Sequence, residues 1–256
     1  MKSLIKKLSN TEFGIYLRNF MNIKPVHMSL KNLDCISISD AFAWRTDNNF
    51  TTKFKYSDIL NIFYKIKNSW IEIYFYNKEG RQIKKIKNEN LKLSNEISIS
   101  KEFLDGIEDY GVFYIYHITN ENFEKKNIVS NRCYLGYSQN YKLSSFVHGN
   151  TLAKFKNVNG SGIINTDIVK KSLFKNHIYK IQEYFYGFDK NELFISNPTT
   201  KTIEFGINNI NYKLHNNCSK LIDITNKKII SIKSNCLFLR PVVFNYKNEY
   251  LDVHHA

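Results

Sequence analysis

The chain has 256 residues, enough for one large or two ordinary domains. Hydrophobic residues make up 43% and aromatics 15%, against only 10 Gly and 3 Pro, which excludes a disordered, collagenous or low-complexity chain. The net charge of +14 is dispersed, with no basic run longer than a pair such as Lys6-Lys7. It therefore reads as a solvated surface rather than the clustered patch that nucleic acid requires.

From the N-terminus, the segment through Lys7 lacks the apolar core and cleavage site of a signal peptide, and no apolar run is long enough to span a bilayer. Cys35, Cys133, Cys218 and Cys236 form no C-x-x-C pair and read as buried free thiols, which places the chain in a reducing cytoplasm. Ser9 to Glu12 matches a capping box, and Phe13, Tyr16, Leu17, Phe20 and Met21 then share one helical face until Lys24-Pro25 ends it. A short helix within residues 1–30 is expected, packed on the body or lying on a membrane surface.

Beyond it the period becomes strand-like. Ile36 to Ser39 alternates, and Trp70 to Tyr76 is a β-rich run that turns at Asn77 to Gly80 and returns through Gln82. Strands are expected again at Glu96–Ile99, Gly111–His117, Cys133–Tyr137 and Leu143–His148. Asn157 to Gly162 reads as a linker. The pattern then recurs: Glu192 to Asn197 echoes Ile71 to Asn77, Lys220 to Ile224 echoes Glu96 to Ile99, and Leu251 to His254 echoes Ser145 to His148. The expectation is an all-β chain of two tandem antiparallel β-sandwich modules with a short N-terminal helix. The modules are bounded at residues 31–156 and 170–256, with Asn77 and Asn197 at equivalent turns and His148 and His254 at equivalent strand ends.

Two polar constellations carry the chemistry. Asp40, Trp44 and Arg45 gather an acid, an indole and a guanidinium just past a strand end; such a set either holds a hydroxyl-rich or anionic ligand, or plugs the sandwich with a local salt bridge. His117, His148 and His254 stand at strand ends with Arg132, Asn150 and Arg240 near them in sequence. They suit ligand hydrogen bonding or, alternatively, a divalent metal held by the three histidines. His254 and His255 are adjacent on one strand and must face opposite ways, so at most one joins a given site. No nucleophile elbow, P-loop or dinucleotide fingerprint is present, which leaves no cofactor expected beyond that metal.

Ser39 to Arg45, Asp109 to His117, Ser145 to Asn150 and Arg240 to His255 together resemble a group of bacterial proteins encoded among surface-polysaccharide and glycosyltransferase genes. Each half also looks like the small sandwich of sensory rhodopsin transducer proteins, as a fold-level analogy. The resemblance implies a non-catalytic module that binds a saccharide, a sugar nucleotide or a glycan-assembly enzyme, and leaves homo-oligomer formation open. The alternative is a metal-assisted enzyme acting on a sugar or sugar nucleotide. On the first reading the ligand residues are Asp40, Trp44, Arg45, His117, Arg132, His148, Asn150, Arg240 and His254, with Arg45 as anchor.

Overall fold

The computed structural model describes residues 11–21, 36–121, 128–131, 133–149, 152–157, 166–167, 177–181, 187–227, 229–236 and 239–256. They form an all-β fold with helices α1 (Glu12–Phe20) and α2 (Ile59–Tyr64). In the first part of the chain the strands are β1 (Ile36–Asp40), β2 (Phe42–Arg45), β3 (Phe50–Tyr56), β4 (Ser69–Asn77), β5 (Gln82–Asn88), β6 (Asn95–Ile99), β7 (Tyr110–Thr119), β8 (Ile128–Asn131), β9 (Tyr134–Gln139), β10 (Ser145–His148), β11 (Leu152–Asn157) and β12 (Thr166–Asp167). The remainder are β13 (His177–Ile181), β14 (Lys190–Ser196), β15 (Ile203–Ile207), β16 (Ile210–Leu214), β17 (Ser219–Asp223), β18 (Ile230–Ser234), β19 (Val242–Lys247) and β20 (Tyr250–His255).

Five four-stranded sheets result, ordered β12-β11-β1-β8, β2-β7-β4-β5, β10-β9-β3-β6, β17-β14-β19-β20 and β13-β18-β15-β16. Among the described residues all pairings are antiparallel except β1 with β8. Three sheets enclose one aromatic core. Phe42, Phe75 and Phe113 come from the β2-β7-β4-β5 sheet, Phe54, Leu135 and Tyr137 from β10-β9-β3-β6, and Phe194, Phe244 and Val253 from β17-β14-β19-β20. Ring centroids within this core lie 4.8–5.3 Å apart among Phe42, Phe54, Phe75 and Phe113, in stacked, tilted and edge-on arrangements.

The two expected modules are therefore not separate bodies. The β17-β14-β19-β20 sheet uses both faces: Phe194, Val242 and Phe244 enter the common core, while Leu193, Ile195 and Val243 pack with Ile203, Phe205 and Ile232 of the β13-β18-β15-β16 sheet. This is why Glu192 to Ser196 and Val242 to Phe244 are continuously buried; strands covered on both faces carry unbroken apolar runs. β7 behaves alike, since Val112, Tyr114 and Tyr116 face a third cluster with Leu60 of α2.

The repeat itself is visible in the topology, since β2-β7-β4-β5 matches β13-β18-β15-β16 and β10-β9-β3-β6 matches β20-β19-β14-β17 with the strands in the same chain order, but the counterpart of β14 is β3 rather than β4. β4 turns at Asn77 directly into its hydrogen-bonded neighbour β5, whereas β14 is followed by β15 in a different sheet and pairs with β17 and β19. Asn77 accepts a hydrogen bond from the Arg81 N–H; buried Asn197 instead donates to the carbonyls of Lys201 and Leu214, holding the crossover. The closing hairpins of the two halves are equivalent, as expected. β9–β10 and β19–β20 each send a valine, Val147 and Val253, into the common core. The two hairpins meet where Val253 N–H donates to Ser145 Oγ at 2.9 Å.

At the N-terminus, α1 is capped by Thr11, whose Oγ1 accepts from Gly14 N–H at 3.2 Å; Ser9 lies outside the described residues. The expected packing of its apolar face on the body is not found: Phe13 is 73% and Phe20 79% exposed.

Candidate functional site

Four of the seven described residues expected to bind a ligand, Asp40, Trp44, Arg45 and His117, are buried in the fold. Trp44 is fully buried in the common core and its Nε1–H donates to the Tyr76 carbonyl at 2.9 Å. Arg45 is equally buried. Its Nε and Nη2 donate to the two Asp47 carboxylate oxygens at 2.9 and 2.7 Å. Its Nη1 donates to Glu192 Oε2 at 2.7 Å and to the Tyr246 hydroxyl at 2.9 Å. The guanidinium carbon also lies 4.2 Å from the Phe50 ring centroid and 4.8 Å from that of Phe244.

Burial alone would raise the Glu192 carboxyl, but the Arg45 charge, aided by hydrogen bonds from Lys190 and Tyr246, pulls it down to about 2. Burial likewise opposes the Arg45 charge, yet its hydrogen bonds to Asp47 and the surrounding carboxylates keep it above the ordinary arginine value. Arg45 is thus a clamp between parts of the chain 147 and 201 residues apart. The expectation that it anchors a ligand is overturned because every face of the guanidinium is already engaged.

The other expected residues scatter. Asp40 is 5% exposed and His117 is fully buried on β7, where its backbone N–H donates to Ser37 Oγ at 2.9 Å. Arg240 is exposed. His254 sits on the side of β20 facing away from the common core, with Nδ1 3.1 Å from Asp252 Oδ2 and 3.4 Å from Asn245 Nδ2. Arg132 and Asn150 lie outside the described residues. His117, His148 and His254 do not converge, and among the described residues no group of three His, Cys, Asp or Glu could hold a metal ion.

Among the described residues of the set, His148 reaches a surface with the features of a binding site. That surface is the outward face of the β10-β9-β3-β6 sheet. Alternation along these strands buries Phe54, Leu135 and Val147, so the intervening residues all project outward. Register then lines them up in rows across the sheet. One row runs His148, Tyr134, Lys55, Glu96; the next runs Phe146, Gly136, Lys53, Ser98.

Gly136 is the key to the second row. A Cβ there would stand 2.5 Å from Phe146 Cε1, so only glycine lets the phenyl ring settle across the strand beside it. Phe146 is nevertheless 49% exposed and Tyr134 52% exposed. Lys55 Nζ lies 5.7 Å from the Phe146 centroid and 3.2 Å from Glu96 Oε2, and the Tyr134 and His148 rings are 4.6 Å apart.

The same face runs into a cleft of about 450 Å³ lined by Thr51, Lys53, Ser98, Ser138, Tyr141 and Lys142, among others. Its wall is the β9–β10 turn, where Asn140 and Tyr141 both take left-handed backbone, at φ 51° and 60°. The result is a tyrosine side chain 95% exposed. Across Tyr141 and Lys142 lies a second cleft of about 690 Å³, bordered by Leu143, Glu249, Tyr250 and Leu251. Lys142 Nζ pairs with Glu249 at 2.8 Å and so ties the turn to the β19–β20 hairpin.

Apart from His148, these outward residues were not singled out in the sequence. The available signal was alternation: Phe146 and Tyr134 occupy the solvent phase of strands whose other phase is apolar, and an aromatic there has no core to explain it.

No family model matches the chain, and no curated protein matches it. Among solved structures it is similar to the crystal structure of Streptomyces avermitilis alpha-L-rhamnosidase complexed with L-rhamnose, at 8% identity and a TM-score of 0.24. That likeness covers 88% of this chain and 26% of the other, so this chain spans well under half of that protein's length. At this TM-score it carries no argument about fold or activity.

Proposed function

We propose that the protein is a non-catalytic glycan-binding module of cell-surface polysaccharide assembly, working in the cytoplasm. Its site is the outward face of the β10-β9-β3-β6 sheet. The observation that carries this reading is the solvent-exposed Phe146 ring lying over Gly136, beside Lys55 and continuous with a hydroxyl-lined cleft.

A pyranose has an apolar C–H face and a rim of hydroxyls. An exposed aromatic ring takes the first, while Ser, Thr, Lys and carboxylate groups take the second. The face offers both, with Phe146, Tyr134 and Tyr141 as rings and Thr51, Ser98, Ser138, Lys53 and Glu96 as partners. A flat open sheet suits an extended chain of sugars better than one enclosed residue. The resemblance of Ser39 to Arg45 and Ser145 to Asn150 to proteins of surface-polysaccharide gene clusters supports the same substrate class, and a sugar nucleotide or glycan-assembly enzyme is the companion partner.

The test is a glycan array probed with the wild-type protein and with Phe146→Ala. Removing a stacking ring is expected to weaken binding about tenfold or more, while the melting temperature stays unchanged because the ring is half exposed. A wild-type protein that binds no glycan, or a Phe146→Ala protein that binds equally well, overturns the reading.

A further inference from the structure

We infer that α1 is a peripheral membrane anchor that docks the protein on an anionic lipid surface. The helix places Phe13, Tyr16, Leu17, Phe20 and Met21 at the i, i+3, i+4, i+7 and i+8 positions, which is one continuous face. All of them are exposed, from 41% at Leu17 to 79% at Phe20, and Tyr16 and Phe20 stack at 6.5 Å between centroids. A row of exposed large apolar side chains on a nine-residue helix is a cost in water unless another phase takes it up.

Charge identifies that phase. Around the helix the sequence carries Lys2, Lys6, Lys7, Arg18, Lys24 and Lys31 against Glu12 and Asp34, within a chain whose net charge is +14. A basic segment bearing an aromatic and aliphatic face is the combination that lies in the headgroup region of an anionic bilayer, with rings in the acyl boundary and ammonium groups among phosphates. A second protein chain would need no such charge bias, and an acidic partner surface would not need the aromatic face. With nine residues α1 is too short to cross a bilayer and lies along one leaflet.

The inference does not depend on the glycan site, which lies on a different element. The experiment is co-sedimentation of the full chain with vesicles of phosphatidylcholine alone or with phosphatidylglycerol added, at low and high salt. Wild-type protein is expected to pellet with the anionic vesicles and to be released by salt. The Phe13→Ser/Phe20→Ser protein, altered only at exposed positions, is expected to bind at least about a hundredfold less, from tenfold or more per buried phenylalanine. Equal pelleting of wild-type and double variant overturns the inference, as does wild-type protein that ignores anionic vesicles. So does a lipid-free dimer that the double substitution dissolves, since a second copy would then be what covers the face.

Discussion

Replacing Glu192 by alanine removes one of the contacts that join the two halves of the chain. Glu192 accepts one charge-assisted hydrogen bond from Arg45 at 2.7 Å and another from the Tyr246 hydroxyl at 2.5 Å. Losing a hydrogen bond to a charged group costs about 1.5–3 kcal/mol, and a buried hydroxyl left without its acceptor about 1 kcal/mol more. Asp47 still holds the guanidinium on its other side, so the loss falls near the low end of the range for a broken buried ion pair, about 3 kcal/mol. That is a fifth or more of the stability of a typical domain, taken as about 5–15 kcal/mol. With an m-value of about 3 kcal/mol per molar urea, the midpoint should fall by about 1 M. Urea unfolding followed by tryptophan fluorescence suits the purpose, because Trp44 is fully buried next to Arg45. One cooperative transition is expected in both proteins, since the two halves share a core. Lys190→Met, which removes only an exposed partner of Glu192, should shift stability by less than about 0.5 kcal/mol. A Glu192→Ala protein within 1 kcal/mol of wild type, by the same scale, or two separated transitions in the wild type, would refute the clamp.

Further outcomes follow from the same contacts. Deleting residues 251–256 removes most of β20, including Val253 in the common core and its tie to Ser145, so the melting temperature should drop sharply or the protein should turn insoluble; unchanged melting would make the segment a tail. His255 is held down to about 4 by burial and the nearby Arg240 charge, so it folds neutral. Its contribution to stability is complete above the ordinary histidine value of 6.5 and is lost as pH falls from there toward about 4. Glu192, depressed to about 2, keeps its contribution above its ordinary 4.5 and loses it only as pH falls from 4.5 toward 2. His255→Gln should flatten the upper of these two slopes in a pH series of urea titrations and leave the lower one in place. Gly136→Ala should displace the Phe146 ring, which a Cβ would meet at 2.5 Å, and so weaken glycan binding while Phe146→Ala removes it further; unchanged affinity would show that the ring's position is immaterial.

Much of the β framework was legible because alternation and β-branched runs are local. Trp70 to Tyr76, Gly111 to His117 and Ser145 to His148 all lie within strands as expected, and the turn at Asn77 to Gly80 closes a hairpin. The short α2 was missed: its six residues carry no helical period, and its cap depends on Asp58 accepting from Asn61 N–H at 3.1 Å. That the two halves share a core was not legible for a different reason. Unbroken apolar runs at Leu193 to Ile195 and Val242 to Phe244 announce burial on both faces, but which sheets cover them is a long-range fact. The same holds at the candidate site. Asp40, Trp44 and Arg45 attracted a binding role as a polar cluster, yet Glu192 and Tyr246, which consume Arg45, stand far along the chain. Phe146 and Gly136 look unremarkable in sequence, and only the strand register brings them together.

The central claim is that the outward face of the β10-β9-β3-β6 sheet holds a saccharide. Chemical-shift mapping tests it most directly, by titrating isotope-labelled protein with the strongest oligosaccharide from the array. Concerted shifts are expected at Lys53, Lys55, Ser98, Tyr134, Gly136, Tyr141 and Phe146, with the amides around Arg45 and His117 unmoved. Shifts confined to any other surface, or none at saturating oligosaccharide, would contradict it.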